Sequence, residues 1–146
     1  MTPGQVKLIQ DSFANLAPIA EKVADLFHQR LFAIAPELRP LFPDDLSRQK
    51  KMMMQIMATG VKNIQQLQII IPAVQELGRR HADYGATEKQ YESVAAAMLW
   101  AIEQGLGATC TPSVIEAWTA FYCTIADVMQ KAAAELQSSK KSPTVA

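Results

Sequence analysis

The sequence predicts an all-α protein, and three observations support this fold class. Apolar residues recur every three or four positions along most of the chain, whereas alternating, strand-like runs are weak. The 146 residues, 49% of them hydrophobic, suffice for one domain with a single core. The pattern implies about seven helices of uneven length without a sustained heptad, which favours helices crossing at steep angles over a coiled coil or regular bundle.

Caps and prolines delimit two helices in the first part of the chain. Thr2-Pro3 is typical of an N-cap followed by proline in the first turn, and Pro18 breaks the helix that follows. A second helix stops before Pro36. The apolar stripes of the two helices are Val6, Ile9, Phe13 and Leu16, then Val23, Phe27, Leu31 and Ile34. Three prolines in PELRPLFPDD (36–45) predict a short corner rich in turns.

Two further helices are predicted in the middle of the chain. Ser47 is placed to cap the third helix. The stripe of this helix comprises Gln49, Met53, Ile56, Gly60 and Ile64. QQLQIIIP (65–72) is predicted as an inter-helix segment, although its III triplet alone would suit a strand. Pro72 opens the fourth helix and Gly85 ends it. The apolar face of the fourth helix carries Val74, Leu77 and His81.

Two more helices complete the predicted fold. Thr87 is expected to cap the fifth helix in a capping box with Gln90, and this helix runs to Gly105-Leu106-Gly107. Thr111-Pro112 opens the last helix. The stripe of the last helix comprises Ile115, Trp118, Tyr122, Ile125 and Met129.

Composition excludes several classes of function. Lys and Arg together number 14, as do Asp and Glu, and no basic stripe is interleaved with aromatic residues, so we expect no nucleic-acid binding. No apolar run is long enough to span a membrane, and the N-terminus is amphipathic rather than a signal peptide. Cys110 and Cys123 form neither a CxxC, a CxxCH nor a zinc-type spacing. A reduced, cytoplasmic chain is therefore the expectation.

His81, in LGRRHADYG (77–85), allows two interpretations. It follows Leu77 by one helical turn and therefore projects from an apolar face. A histidine there is either partly buried and bonded to a carbonyl, or an axial ligand of haem iron with its second nitrogen held by a backbone carbonyl. Arg79 and Arg80 flank it and can reach haem propionates, although a solvated face explains them equally well.

A second set of polar and soft side chains can form the other half of a haem slot. Gln49 and Met53 are four residues apart and share a helix face. Gln49 can donate a hydrogen bond to a diatomic ligand, and Met53 can pack on the porphyrin or offer its thioether to iron, but MMMQIM also suits plain core packing. His28 lies within an apolar stripe and must find a partner. It is either a core histidine bonded to a carbonyl or a distal histidine facing haem.

Taken in order, several motifs resemble the globin superfamily, and bacterial single-domain haemoglobins, flavohaemoglobins and neuroglobin-like chains in particular. These motifs are FHQRLFAIAPELRPLF (27–42), SRQKKMMMQI (47–56), LGRRHADYG (77–85), QYESV (90–94) and EAWTAFY (116–122). The resemblance implies a globin fold, a three-over-three helical sandwich around haem b. It implies a globin domain over residues 1–137, followed by a polar, flexible tail at 138–146.

The resemblance also implies roles for individual residues. It implies that His81 is the iron ligand and that Gln49 occupies the distal polar position. It also places Phe42 at the haem-stacking position and Tyr91 at a haem-side position. Leu77 and Met53 are expected to line the cofactor. The separation between Gln49 and His81, 81 − 49 = 32 residues, resembles that between the family's distal and proximal residues.

The chain departs from the family pattern at two positions. Bacterial globins usually carry tyrosine, and neuroglobin-like chains phenylalanine, at the position held here by His28. His28 can therefore hydrogen-bond a bound gas or ligate the iron itself. In flavohaemoglobins, which this chain resembles, a glutamate on the last helix forms part of a proximal charge relay. Ala133 occupies the matching position here. Glu135, two residues further on, faces about 200° away around the helix, which argues against that relay in this chain.

These resemblances imply a haem protein that reversibly binds oxygen, nitric oxide or carbon monoxide. Nitric oxide dioxygenation with an external reductase is the expected turnover, because no reductase domain is expected within the 146 residues. One alternative is a six-coordinate redox or gas-sensing globin in which His28 or Met53 binds the iron. Another is a haem-free interaction module of the same fold. A monomer or a homodimer is compatible with the sequence.

Overall fold

The computed structural model describes the backbone of residues 1–83 and 88–141, and the side chains of residues 1–80 and 89–135. All regular structure in these ranges is helical, which confirms the predicted all-α class. The six α-helices are α1 (Pro3–Leu16), α2 (Ala20–Ile34), α3 (Ser47–Lys62), α4 (Ile71–Asp83), α5 (Glu88–Leu106) and α6 (Pro112–Lys141). The proline corner forms a 3-10 helix at Pro36–Leu41 rather than a further α-helix.

The helix starts were predicted with mixed success. Thr2 forms the expected capping box with Gln5: its hydroxyl accepts from the Gln5 backbone N–H at 3.1 Å, and its own N–H donates to the Gln5 side chain. The prediction that Ser47 caps α3 was wrong. Asp45 takes this role instead, because its carboxylate accepts hydrogen bonds from both the backbone N–H and the hydroxyl of Ser47, at 3.0 and 2.7 Å.

Some predicted boundaries fall outside the described residues. The predicted stop at Gly85 and the predicted cap at Thr87 both lie there. The backbone of α6 continues as a helix to Lys141, and the predicted domain boundary at residue 137 stays a prediction. No helix in the described ranges is both long enough and apolar enough to cross a membrane.

The main core joins α1, α2, α3, α5 and α6. Its most deeply buried side chains are Ile9, Leu16, Val23, Leu31 and Ile102. One buried polar link ties the first helix to the last: the Trp118 indole N–H donates to the Ser12 hydroxyl at 2.9 Å. Ser12 in turn donates to the Leu8 carbonyl at 2.7 Å, so both groups are satisfied away from water.

Helix α3 buries only part of its predicted stripe. Gly60 of the stripe is buried, together with Met54, Met57 and Val61 outside it, whereas Ile56 in the stripe is 44% exposed. Methionines and isoleucines occur on two faces of this helix, so spacing alone does not decide which face is buried. The stripe therefore lies partly beside the core, with its exposed surface at Ile56.

Helix α4 lies unusually close to α6. A Cβ atom added to Gly78 would overlap the backbone of Met129 and would lie only 2.6 Å from the Met129 Cα. Glycine at this position thus permits backbone-to-backbone contact, which any side chain would prevent. This contact fixes the distance of α4 from α6 one turn before His81.

Candidate functional site

A cavity of about 390 Å³ lies between α3 and α4. Its lining includes Met52, Ile56 and Gly60 from α3, and Val74, Leu77 and Arg80 from α4. This volume falls within the range of small-molecule sites, and the walls are mostly apolar. The Met52 and Ile56 side chains are 37% and 44% exposed, and both face this cavity.

One predicted site residue lies in the cavity lining on the α4 side. Leu77, half-buried, lines the cavity directly. His81 lies one turn further along α4, on the stripe that contains Leu77 and Val74. Its backbone belongs to the described part of α4, and its side chain lies outside the described residues. Its role as the iron ligand therefore stays a prediction.

Arg80 supplies positive charge at the edge of the cavity. Its side chain is 60% exposed and lies 3.7 Å from the carboxylate of Glu76, which Arg79 also approaches at 3.5 Å. Exposed pairs of this kind contribute little to stability, so Arg80 can exchange Glu76 for an anionic group of a ligand at small cost.

The α3 wall holds Gln49 and Met53, both half-buried. Gln49 precedes the cavity residue Ile56 by seven positions and therefore lies only about 20° from it around the helix. Met53 packs against the main core next to the cavity residue Met52. Neither Gln49 nor Met53 is part of the cavity lining itself, so the structure brings them to its α3 side but not into contact with its volume.

The start of α3 is tied to α2 by an ion pair. The Lys50 ammonium lies 2.7 Å from the Asp25 carboxylate. Because Lys50 follows Gln49 and Asp25 lies three residues before His28, this pair brings the Gln49 end of α3 to the His28 region of α2.

Among the candidate polar groups whose side chains the structure describes, His28 is the most deeply buried, with 1% of its surface exposed. Its Nδ1 lies 2.8 Å from the Ala24 carbonyl oxygen, and its Nε2 is buried without a hydrogen-bond partner among the described residues. Burial lowers the pKa of this imidazole, outweighing the opposite effect of the Ala24 hydrogen bond. The ring is thus neutral near pH 7. His28 does not line the cavity between α3 and α4.

Three phenylalanine rings surround His28. The Phe27 and Phe42 rings meet it edge-on, with centroids 5.0 and 6.0 Å away, and Phe32 is tilted at 6.1 Å. Phe42, the predicted haem-stacking residue, is half-buried and also meets Phe32 at 5.2 Å. The structure therefore places Phe42 beside His28, and its contact with a cofactor stays a prediction.

Arg39 holds the corner that carries Phe42, a role that spacing in the sequence did not reveal. Its guanidinium donates to the carbonyls of Phe42, Pro43 and Asp44 at 3.0–3.3 Å. It also lies over the Phe32 ring, 5.2 Å from the centroid. The only hint in the sequence was an arginine inside a proline-rich corner, where free carbonyls need donors.

Tyr91 packs behind the α4 wall in a second cluster with Ile70, Val74 and Met129. Tyr122 on α6 donates its hydroxyl to the Tyr91 backbone carbonyl at 2.9 Å. Burial raises the pKa of both phenols, so both remain protonated at neutral pH. Because Val74 belongs both to this cluster and to the cavity lining, Tyr91 supports the α4 wall; a direct contact with a cofactor stays a prediction.

The arrangement suits a largely apolar ligand with an anionic group at its edge. The cavity has apolar walls, and Arg80 supplies a cation at its edge. The α2–α3 region adds the Gln49 amide and a neutral imidazole, whose Nε2 has no polar partner among the described residues.

Comparisons with known proteins point to one family. The family model for globins matches residues 25–129. Two solved structures superpose over 94% of this chain: an engineered carbene transferase, named as a candidate nitric oxide dioxygenase, from Rhodothermus marinus, with a TM-score of 0.86, 20% identity and 96% of its own chain covered; and a bacterial globin from Campylobacter jejuni, with a TM-score of 0.83, 24% identity and 99% covered. These superpositions confirm the predicted three-over-three helical sandwich.

Curated relatives match by sequence as well. A flavohaemoprotein from Bacillus subtilis is 32% identical over 126 residues, which are 84% of this chain and 31% of that protein. A flavohaemoprotein from Oceanobacillus iheyensis is 28% identical over 138 residues, which are 92% of this chain and 34% of that protein. The chain thus spans about a third of the length of these relatives.

Proposed function

The chain belongs to the globin family, and we propose that it binds haem between α3 and α4 and thereby takes up diatomic gases reversibly. The single observation that carries this proposal is the apolar cavity between these helices, whose α4 wall continues one turn beyond Leu77 to His81. Oxygen, nitric oxide and carbon monoxide are the gases that we propose.

The residues around the cavity fit haem b. Met52, Ile56 and Leu77 present apolar surface to the porphyrin, and Arg80 is placed at the edge to pair with a propionate. The buried, unpartnered Nε2 of His28 is the kind of polar atom that a bound group would satisfy. Cys110 and Cys123 lack the spacing for covalent attachment, which supports non-covalent haem b.

In this proposal the chain supplies the ligand and the surroundings. The bound haem supplies an iron atom to which a diatomic gas can bind. His81 holds the iron from α4, and the Gln49 amide donates a hydrogen bond on the α3 side. Met53 and Phe42 provide apolar contacts there, which exclude water and slow oxidation of the iron. Leu77 and Tyr91 keep the α4 wall in place through the cluster behind it.

We further propose nitric oxide dioxygenation as an enzymatic turnover, with nitric oxide and oxygen combining to nitrate. Its support lies in the names of the relatives: flavohaemoproteins and a candidate nitric oxide dioxygenase. An electron donor outside residues 1–146 returns the iron to the ferrous state in this proposal. The free Cys110 and Cys123 agree with a reduced, cytoplasmic setting.

A second candidate function is a six-coordinate redox or gas-sensing globin. The observation that favours it is the orphaned Nε2 of His28, because a buried imidazole nitrogen with a free electron pair is a potential iron ligand. In such a protein the internal ligand must leave before a gas binds. Met53, partly buried on α3, is the alternative internal ligand.

The decisive experiment is optical. The purified chain, supplied with haem, is expected to show a Soret band that shifts on reduction and again on addition of carbon monoxide. Gln49→Leu should raise the oxygen dissociation rate more than that of carbon monoxide, because bound oxygen carries more negative charge. Gln10→Leu, at an exposed position on α1, is the matched control and should change neither rate. A colourless protein would instead support a haem-free interaction module.

A second experiment tests the proposed nitric oxide dioxygenation. With a supplied reductant, each nitric oxide consumed in air should yield one nitrate, and His81→Ala should abolish the reaction. Consumption of nitric oxide without nitrate would contradict the dioxygenase proposal while leaving gas binding intact.

A further inference from the structure

The position of one proton on His28 determines what this residue can do. Nδ1 lies 2.8 Å from the Ala24 carbonyl oxygen, one turn earlier on α2. A carbonyl oxygen carries no proton, so the hydrogen of this bond belongs to Nδ1, which donates. A neutral imidazole has a proton on only one nitrogen. Nε2 therefore carries a free electron pair and no hydrogen.

The surroundings leave this electron pair without a protein donor. The neighbouring rings are Phe27, Phe32 and Phe42, which offer no N–H or O–H group. The nearby cations are occupied elsewhere: Lys50 pairs with Asp25 at 2.7 Å, and Arg39 donates to three backbone carbonyls. Nε2 accordingly has no partner among the described residues, although it is fully buried. Buried acceptors in native proteins usually have a partner, so a bound group is the candidate.

We propose that His28 acts as a Lewis base toward the haem iron when no gas is bound, and that it cannot act as a hydrogen-bond donor to a bound gas. Because His28 does not line the cavity between α3 and α4, this bond requires α2 or the haem to shift toward the other. This inference rests on the proposed function and deepens it. Coordination uses the Nε2 electron pair and moves no proton and no electron; an incoming gas replaces that bond with its own. Stabilisation of bound oxygen by hydrogen-bond donation then falls to Gln49 alone among the candidate residues.

The hydrogen bond to the Ala24 carbonyl favours the tautomer with the proton on Nδ1 over the tautomer with the proton on Nε2. To present an N–H at Nε2, the ring would have to give up the Nδ1–H and leave the Ala24 carbonyl facing an unprotonated nitrogen. Two electron pairs would then face each other at 2.8 Å, which is repulsive. Protonation of both nitrogens would place a charge among three aromatic rings, and burial opposes this.

The first test locates the proton directly and needs no variant. The full chain, labelled with ¹⁵N-histidine and converted to its ferrous carbon monoxide complex, has two histidines to assign. We expect His28 to show a protonated Nδ1 and an unprotonated, pyridine-type Nε2 in ¹⁵N–¹H correlation spectra. A proton on Nε2 of His28 would overturn the inference.

The second test reads coordination in the ferrous, ligand-free protein. Wild type is expected to show two sharp visible bands, and His28→Phe, which preserves an aromatic ring in an aromatic pocket, should show one broad band. Carbon monoxide binding should saturate with gas concentration in wild type and become linear in His28→Phe, because no internal ligand has to leave. Met53→Leu should retain two bands; their loss there would transfer the ligand role to Met53.

The outcomes separate this inference from the proposed function. A Soret band with a single broad visible band in the wild type overturns the inference and leaves the haem-binding proposal standing. Absence of any Soret band overturns both. Two bands that persist in both His28→Phe and Met53→Leu would mean that another residue binds the iron.

Discussion

The two walls of the cavity are held in place by different kinds of interaction. On the α2–α3 side, position depends on directional contacts: an ion pair between Asp25 and Lys50, three hydrogen bonds from Arg39, and edge-on aromatic rings around His28. On the α4–α6 side it depends on close steric fit, since the Gly78 backbone lies against that of Met129. Loss of a single contact on the α2–α3 side should therefore cost little, whereas a methyl group at Gly78 would clash with the Met129 backbone and displace α4.

This difference matches the chemistry proposed for each wall. An iron ligand must be held at one distance, and dense backbone packing tolerates little displacement. A gas-binding side has to admit ligands, and there a set of individually weak polar contacts suffices.

The largest effect is expected from His81→Ala on the α4 wall. Loss of the proposed iron ligand on α4 leaves at most the bond proposed for His28, so haem retention should fall far below that of wild type. The measurement is the ratio of Soret to protein absorbance after gel filtration, with helicity followed by circular dichroism. Full retention of haem in a folded His81→Ala variant would show that the iron is held from another position.

Gly78→Ala should destabilise the protein by about 1–3 kcal/mol, because the new Cβ would overlap the Met129 backbone and α4 must move away from α6. Alanine is intrinsically the better helix former by about 1 kcal/mol, so a loss of stability can only reflect the steric clash. Urea unfolding measures the change.

Gly4→Ala is the matched control for this substitution. The nearest atom to a Cβ at Gly4 is the Thr2 hydroxyl at 3.9 Å, an ordinary contact, and Gly4 also lies within a helix. We expect this variant to be neutral or slightly more stable. If both substitutions stabilise the protein, the close approach of α4 to α6 is not a constraint.

The same contrast explains which parts could be predicted from the sequence. Thr2, Pro18 and Pro36 predicted helix boundaries correctly, because a cap or a missing N–H acts locally. The all-α class followed from helical periodicity, and the globin fold followed from the resemblance of the ordered motifs to that family. Residues 49 and 81 lie on α3 and α4, the two helices that line the cavity, and their distal and proximal roles stay a prediction.

Other features depended on tertiary contacts and could not be predicted. Gly78 is an ordinary glycine in the sequence, and only the path of α6 makes it indispensable. The choice between Asp45 and Ser47 as cap depended on the backbone of the corner. Likewise, the direction of His28 Nε2 became apparent only when Nδ1 was seen to bond Ala24. Pattern alone had left both a donor role and a ligand role open for this residue.

An intermediate effect is expected in the pH dependence of the α2–α3 side. The folded pKa of His28 is lowered by burial from its ordinary value of 6.5, and Lys50 and Arg39 lower it further, whereas Asp25 opposes them. As pH falls below 6.5, His28 binds a proton in the unfolded chain but remains neutral in the folded chain. Stability is therefore present above pH 6.5 and declines below it, by at most about 1.4 kcal/mol per pH unit, until the folded pKa is passed.

The measurement is the urea midpoint of the haem-free chain as a function of pH, compared with His28→Phe. In the variant, the urea midpoint should fall less steeply at acid pH, because the contribution of His28 is missing. The part of the fall that comes from carboxylates should remain. Identical slopes in the two proteins would mean that His28 accepts a proton without unfolding, and would contradict its burial among aromatic rings.

The smallest effect is expected from Lys50→Met. The Asp25–Lys50 pair joins α2 to α3, but its side chains are 51% and 30% exposed, so solvent screens the attraction and the free energy of unfolding should change by less than about 1 kcal/mol. Lys7→Met, which removes a similar pair with Asp11 within α1, is the control and should cost a comparable amount. Removing the Lys50 charge should also raise the pKa of His28, so the acid decline begins to level off at a higher pH than in wild type. A loss of several kcal/mol in Lys50→Met alone would show that this one ion pair holds the wall, and the tolerance assigned to the α2–α3 side would then be wrong.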